Sequence, residues 1–135
     1  IKKPEKLGAF TVNSVDVPSA VAACSTDGKK LSESSRVVLV LNTDNISTGF
    51  KITRKKRALR GNGKPPVLLR VCRLSAELEI ADAEKFDLYA LALSGERMQK
   101  LPLAAENGVL KIDIDTAKLR DGTTVFFELA KRAEN

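Results

Sequence analysis

Alternation of apolar and polar residues along the chain predicts strands. From Leu74 to Ile80 every second residue is apolar, and the residues between them are Ser or Glu. A second series, Leu110, Ile112 and Ile114, alternates with Lys and Asp in the same way. A period of two is the spacing of side chains on one face of a strand, so both segments are predicted to be strands with one wet face.

An uninterrupted apolar run organises the first half of the chain. Residues 37–41 read VVLVL and leave no polar position for a solvent face, which predicts a central strand covered on both sides. Asp27-Gly28, before the run, suits a tight turn, and the short apolar stretch 21–25 is predicted to be the strand that this turn brings alongside. The exit segment 42–49 is polar and is predicted to be a loop.

Turn signals recur between the remaining apolar stretches. Asn107-Gly108 is the strongest, because a type I′ hairpin turn needs positive φ at both central residues. Residues 7–17 are predicted to form the first strand, which Pro18 ends. In residues 67–80, the apolar stretch 67–71 is predicted to lead directly into the alternating strand 74–80. About eight or nine short strands and no long helix predict an all-β fold, an antiparallel β-sandwich of jelly-roll or immunoglobulin-like topology.

Length and composition fit one folded domain. The chain has 135 residues, of which 43% are hydrophobic and 30% charged, so residues 1–135 are predicted to form a single domain. Its apolar runs are far shorter than the roughly 20 residues of a membrane-spanning helix, and no membrane partner is predicted. Because the sequence begins with Ile1 and not with Met, we expect an excised part of a larger multidomain protein.

The net charge of +6 comes from one segment. Seven cations and no acid lie between residues 51 and 64, which leaves the rest of the chain at −1. This segment is predicted to be a basic surface loop. It could be merely solvated, dock on an acidic neighbouring domain, or bind a polyanion such as nucleic acid or an acidic polysaccharide. It lacks the aromatic side chains that single-stranded nucleic acid requires, which disfavours nucleic acid. The candidate polyanion-binding residues are Arg54, Lys55, Lys56, Arg57 and Arg60.

The residue inventory excludes several kinds of site. The chain has no histidine, so it holds no Ser-His-Asp or Cys-His arrangement and no histidine-ligated metal. Cys24 and Cys72 are too few for a structural zinc site and could form a disulfide only if their strands are adjacent. Three aspartates, Asp113, Asp115 and Asp121, are candidate ligands for a structural Ca²⁺, and Asp44 with neighbouring loop carbonyls is the alternative; no other cofactor is predicted. Outward-facing acids on a strand are otherwise ordinary solvated surface, so the chain is not predicted to be an enzyme.

The order of motifs in the first half resembles a known family. D-G-K, L, E-S and R occupy residues 27–36, the apolar run follows, and then come N-T-D-N-x-x-T-G and G-K-x-P-V-L-L-R. From about Ser25 to Arg73, and more loosely to Leu129, this order resembles the all-β domain after the catalytic barrel of certain bacterial glycoside-hydrolase-like proteins. The resemblance implies an extracellular or periplasmic accessory domain without catalytic activity. Such a domain binds polysaccharide as a carbohydrate-binding module or packs against the adjacent catalytic domain.

Aromatic side chains, which stack on sugar rings, are scarce in this chain. It has no Trp, one Tyr and five Phe, and four of the Phe lie in strand patterns that predict core positions. Tyr89 and Phe50 are therefore the candidate stacking platforms, with Asn45 in the polar exit segment as a hydrogen-bonding partner. The alternative is a structural or interaction domain without glycan binding, which would present an apolar docking patch. Solvent exposure of Tyr89 distinguishes the two.

Overall fold

A computed structural model of the protein describes residues 3–53 and 58–133, with the backbone alone at 52–53 and 58–60. The described residues form strands and three short 3-10 turns, Leu31–Glu33, Ala83–Lys85 and Thr116–Lys118, without an α-helix. The strands, in chain order, are β1 (Glu5–Leu7), β2 (Phe10–Val15), β3 (Ser19–Ser25), β4 (Arg36–Thr43), β5 (Asn45–Thr48), β6 (Lys51–Thr53), β7 (Ala58–Gly61), β8 (Lys64–Leu69), β9 (Arg73–Glu79), β10 (Phe86–Leu91), β11 (Arg97–Leu101), β12 (Ala104–Glu106), β13 (Val109–Asp115) and β14 (Phe126–Lys131).

Two five-stranded antiparallel sheets enclose the core, and this confirms the predicted β-sandwich. Sheet A has the order β1-β2-β9-β13-β12, and sheet B has the order β11-β10-β14-β4-β3. Each sheet turns an apolar face inward: sheet A buries Leu78 and Ile112, and sheet B buries Leu39, Leu88 and Phe127. The inner faces close over one another and leave polar side chains on the outer faces.

The predicted number of strands is too low, because two segments that read as single strands are each divided. Residues 7–17 contain the β1–β2 hairpin, which turns at Gly8 with a φ of +65°. Residues 67–80 contain the end of β8 and all of β9, which belong to different sheets. In both segments apolar residues continue through the turn, so their spacing alone does not reveal the break.

The apolar run 37–41 forms most of β4, an internal strand paired with β14 and β3. Val37, Leu39 and Leu41 are buried in the core, whereas Val38 and Val40 are only half-buried on the outer face of sheet B. The prediction that this strand is covered on both sides was therefore wrong. Side chains of neighbouring strands give its outer face partial cover, and no further layer lies on it in the described part of the chain.

Residues 45–69 form a two-stranded arm between β4 and β9. β5 pairs with β8, and β6 pairs with β7 further along the same ribbon. The prediction that 42–49 and 51–64 are loops was wrong for the residues in these strands, whereas residues 54–57 lie outside the described part. A ribbon exposed on both faces needs no buried apolar side, so basic residues and glycine can occupy it without an alternating pattern.

Three local predictions can be checked directly. Asn107 and Gly108 have φ values of +50° and +77° between β12 and β13, which confirms the two positive φ angles of the predicted hairpin turn. Cys24 is exposed on β3 and Cys72 is buried before β9; both are free thiols and form no disulfide. None of the described helical segments is long and apolar enough to cross a membrane.

Candidate binding surfaces

Exposed apolar side chains are concentrated on the arm and at its base. Seven large apolar side chains are exposed among those that the structure describes, and five of the seven belong to residues 46–71. The other two, Leu7 and Leu93, lie on other parts of the molecule. The five are Ile46, Phe50, Val67, Leu68 and Val71, which are 36–58% exposed.

Backbone and side-chain contacts hold the base of the arm in place. Asp44 and Arg70 form an ion pair of 3.0 Å, and the Arg70 N–H donates to the Asp44 carbonyl at 2.9 Å. The Thr43 hydroxyl donates to the Arg70 carbonyl at 2.7 Å. An open hollow of about 600 Å³ lies beside these residues and is lined by Asp44, Asn45, Ile46, Leu68, Leu69, Arg70 and Val71.

Further along the arm, Gly63 allows the two strands to approach closely. Its φ is +71°, and a Cβ at this position would lie 2.7 Å from the Ser47 Cβ and 2.9 Å from the carbonyl oxygens of Ser47 and Thr48. Such distances exclude any side chain without a shift of the ribbon. Lys51 and Lys64 are both exposed on the arm, which therefore carries basic as well as apolar side chains.

The outer face of sheet B carries a buried carboxylate. Glu128, on β14, is only 1% exposed, although its strand position faces away from the core. One carboxylate oxygen accepts a hydrogen bond from the Arg36 Nε–H of β4, and the other accepts from the Arg97 Nε–H of β11 at 2.6 Å. The two arginine side chains are themselves about half exposed, at 58% and 49%. We call Arg36, Glu128 and Arg97 the arginine clamp.

Tyr89 lies beneath the Arg97 side chain of this clamp. The Arg97 guanidinium carbon is 4.3 Å from the centre of the Tyr89 ring, a cation–π distance, and the side chain continues to Glu128. The Tyr89 hydroxyl donates to Asp87 at 3.3 Å, and Lys100 pairs with the same aspartate at 3.0 Å. The ring is half-buried and its cation–π partner is already in place, so it is a poor platform for a sugar.

The electrostatics of the clamp favour its charged form. Burial acts to raise the pKa of Glu128, but the hydrogen bonds from Arg97 and Arg36 outweigh it and hold the pKa below the ordinary value of 4.5. The same contact with Glu128 raises the pKa of Arg97. Burial likewise acts to raise the pKa of Asp87, and its hydrogen bond with Lys100 lowers it below the usual range. All these groups are therefore ionised at neutral pH.

The predicted calcium ligands lie around a different hollow. A cleft of about 480 Å³ is lined in part by Asp113 and Asp115 of β13, together with Arg73 and Lys118. Asp115 pairs with Arg73 at 3.1 Å and with Lys118 at 3.7 Å, so two cations already lie beside it. Asp121 is outside this cleft and pairs with Arg120. Among the described residues, no group of three or more His, Cys, Asp or Glu side chains is arranged to hold a metal.

The predicted glycan and polyanion residues are divided among separate elements. Asn45 and Phe50 are exposed on the arm, whereas Tyr89 belongs to β10 of sheet B, so these three do not share one sheet. Of the predicted polyanion residues, positions 54–57 lie outside the described chain, and only the backbone of Arg60 is described, in β7. Their prediction stays a prediction.

Sequence reasoning missed the clamp entirely. Glu128 follows two Phe in the last strand and reads as an ordinary outward charge, and its partners lie 92 and 31 residues away in sequence. A carboxylate at an outward position of an otherwise apolar strand was the available signal. It does not identify the partners.

Comparisons with known proteins add no relative. No family model, curated protein or solved structure matches the chain. The resemblance of residues 25–73 to an accessory domain therefore stays a prediction.

Proposed function

We propose that this chain is a non-catalytic accessory domain that docks through its arm against the catalytic domain of a carbohydrate-active enzyme. The observation that carries the proposal is the concentration of five exposed apolar side chains on residues 46–71. Apolar groups gathered in this way are typical of an interface, because their exposure to water is unfavourable by about 25 cal/mol for each Å². The motif order of residues 25–73 supports the kind of partner.

Charge indicates the chemistry of the partner surface. Lys51 and Lys64, which belong to the basic segment 51–64, are exposed on the same arm as Phe50 and Val67. An acidic surface with an apolar centre would match both features. Docking on such a surface is favoured over glycan stacking, because Arg97 already lies over the Tyr89 ring and Phe50 is on a different element from Tyr89.

The test compares this chain alone with the complete polypeptide that its gene encodes. Hydrogen exchange at the backbone amides of residues 44–71 should be slower in the complete polypeptide, whereas exchange in β9 and β13 should be unchanged. A gene that encodes no catalytic domain beside this chain would overturn the proposal. Equal exchange at 44–71 in both proteins would do so as well.

Substitutions identify the residues that make the contact. We expect Leu68→Ser to weaken binding between this chain and the separately expressed catalytic domain by about tenfold, since one buried leucine contributes roughly 1.5–3 kcal/mol. Leu93→Ser is the matched control, because Leu93 is 80% exposed and lies outside the arm. Titration calorimetry at low and high salt measures both. An equal loss in the two variants would assign the binding to some other surface.

A further inference from the structure

We propose that the arginine clamp on the outer face of sheet B binds an acidic polysaccharide through the carboxylate or sulfate groups of its sugars. This site is separate from the arm, and the proposal does not depend on arm docking. The clamp holds two arginines with one carboxylate and therefore keeps a net positive charge. Both arginine side chains are about half exposed, so this charge is accessible to a ligand.

Glu128 fixes the arginines and leaves most of their hydrogen-bond donors unused. Both hydrogen bonds to Glu128 use Nε, and within the described part of the chain neither Arg36 nor Arg97 donates a hydrogen bond from its Nη groups. A guanidinium presents five N–H donors in a rigid plane that matches the two oxygens of a carboxylate or the oxygens of a sulfate. Glu128 is therefore a positioning residue, and the four Nη hydrogens of each arginine are available to a ligand.

The surrounding charges do not cancel this excess. Asp87 pairs with Lys100 at 3.0 Å and lies 3.9 Å from Arg132, so the neighbouring group also has two cations for one acid. Cations thus lie across β4, β11 and the segment after β14. Adjacent strands are about 4.8 Å apart, so an extended chain crossing the sheet would meet more than one of these cations.

The face does not suit the other two classes of polyanion. An acidic peptide that binds as an added strand pairs with a free sheet edge, which in sheet B is β11 or β3. Arg36 lies on β4, which is paired on both sides, so a strand added beside β11 would lie next to Arg97 and not next to Arg36. A single-stranded nucleic acid needs an open aromatic face on which its bases stack, and Arg97 lies over Tyr89. An acidic polysaccharide requires neither of these features, only donors at its charged groups.

The test is an NMR titration of the isotopically labelled 135-residue chain. The probes are an oligogalacturonate, a sulfated oligosaccharide and a neutral oligosaccharide of equal length, at low ionic strength. We expect the Nε–H signals of Arg36 and Arg97 to shift with one or both acidic probes and not with the neutral one. The comparison of the first two distinguishes carboxylate from sulfate. Unshifted signals with both acidic probes, or an equal shift with the neutral probe, would overturn the proposal.

Variants provide a second measurement. Removing a charge-assisted donor should weaken binding by about tenfold or more, so Arg97→Gln should lose most of the affinity. Arg73→Gln is the matched control, because Arg73 is an exposed arginine paired with one aspartate on sheet A. Arg97→Lys, which keeps the charge and loses the planar fork, should also bind weakly. Equal weakening by Arg73→Gln, or tighter binding of an oligonucleotide or an acidic peptide, would contradict the assignment.

Discussion

Replacing Glu128 by Gln should destabilise the protein by about 2–3 kcal/mol at pH 7. Gln keeps the shape of the side chain but places an NH₂ group where a carboxylate oxygen accepted a hydrogen bond, so one arginine Nε–H faces a donor. Loss of one partner from a buried ion pair costs about 3–5 kcal/mol. Here the carboxylate is 1% exposed, but Arg36 and Arg97 are about half exposed and can regain water, so the cost should lie at or somewhat below the lower bound of that range.

The effect of this substitution should depend on pH in a defined direction. In the folded protein the pKa of Glu128 lies below its ordinary value of 4.5. Ionisation of Glu128 therefore contributes its full stabilisation at every pH above the pKa that this residue has in the unfolded chain. This contribution begins to fall as the pH drops below about 4.5 and is lost once the pH passes the folded pKa. The difference in stability between the native protein and Glu128→Gln should therefore shrink in acid.

Urea denaturation followed by circular dichroism measures both quantities. With a slope of about 2 kcal/mol per molar urea, the midpoint at pH 7 should fall by roughly 1–1.5 M. The matched control is Glu79→Gln, because the Glu79 carboxylate and its partner Lys6 are both more than half exposed and exposed pairs contribute little. The reasoning is refuted if the two variants behave alike, or if the Glu128→Gln difference stays constant from pH 7 to pH 3.

Three further predictions concern the core, the arm and the thiols. Phe127→Ala should cost about 3–5 kcal/mol in the same urea assay, because the ring is fully buried between the sheets. Gly63→Ala should open the arm and speed hydrogen exchange in β5 and β8, whereas Gly49→Ala, with positive φ but no atom within 4 Å, should disturb them less; equal effects would contradict the close approach. Cys24 should react with a thiol reagent in the native protein and Cys72 only after unfolding, since burial raises the pKa of the Cys72 thiol; equal rates would contradict this placement.

Much of the sandwich could be predicted because short segments of the sequence specify their own conformation. The alternating segment 74–80 and the turn Asn107-Gly108 each specify their conformation within a few residues, and the structure has both as predicted. The hairpin at Gly8 was missed because Leu7 and Phe10 carry the apolar pattern through the turn. A single glycine between apolar residues does not distinguish a bend from a continuous strand.

The arginine clamp could not be predicted because it is assembled from distant parts of the chain. Arg36, Arg97 and Glu128 meet only because β14 has β4 on one side and β10 on the other, with β11 beyond β10. The sequence gives no strand order. Asp27 was assigned to a tight turn for its local chemistry, yet its carboxylate also accepts hydrogen bonds from Ser35 N–H at 2.7 Å and from hydroxyl groups on both sides of the turn.

The apolar side chains of the arm are not explained by the folding of the sandwich. The continuous cluster of buried apolar residues takes members from both sheets. Among the side chains that the structure describes between residues 42 and 71, none belongs to this cluster or is a partly buried residue packed against it. Residues such as Val67 and Leu68 therefore gain nothing from the core, and polar residues would serve a solvated ribbon equally well. Exposure of these side chains to water is unfavourable in the isolated chain, and their burial under another surface would be favourable. Contact with another surface would remove these side chains from water, and this is the physical reason for placing the proposed docking function on the arm.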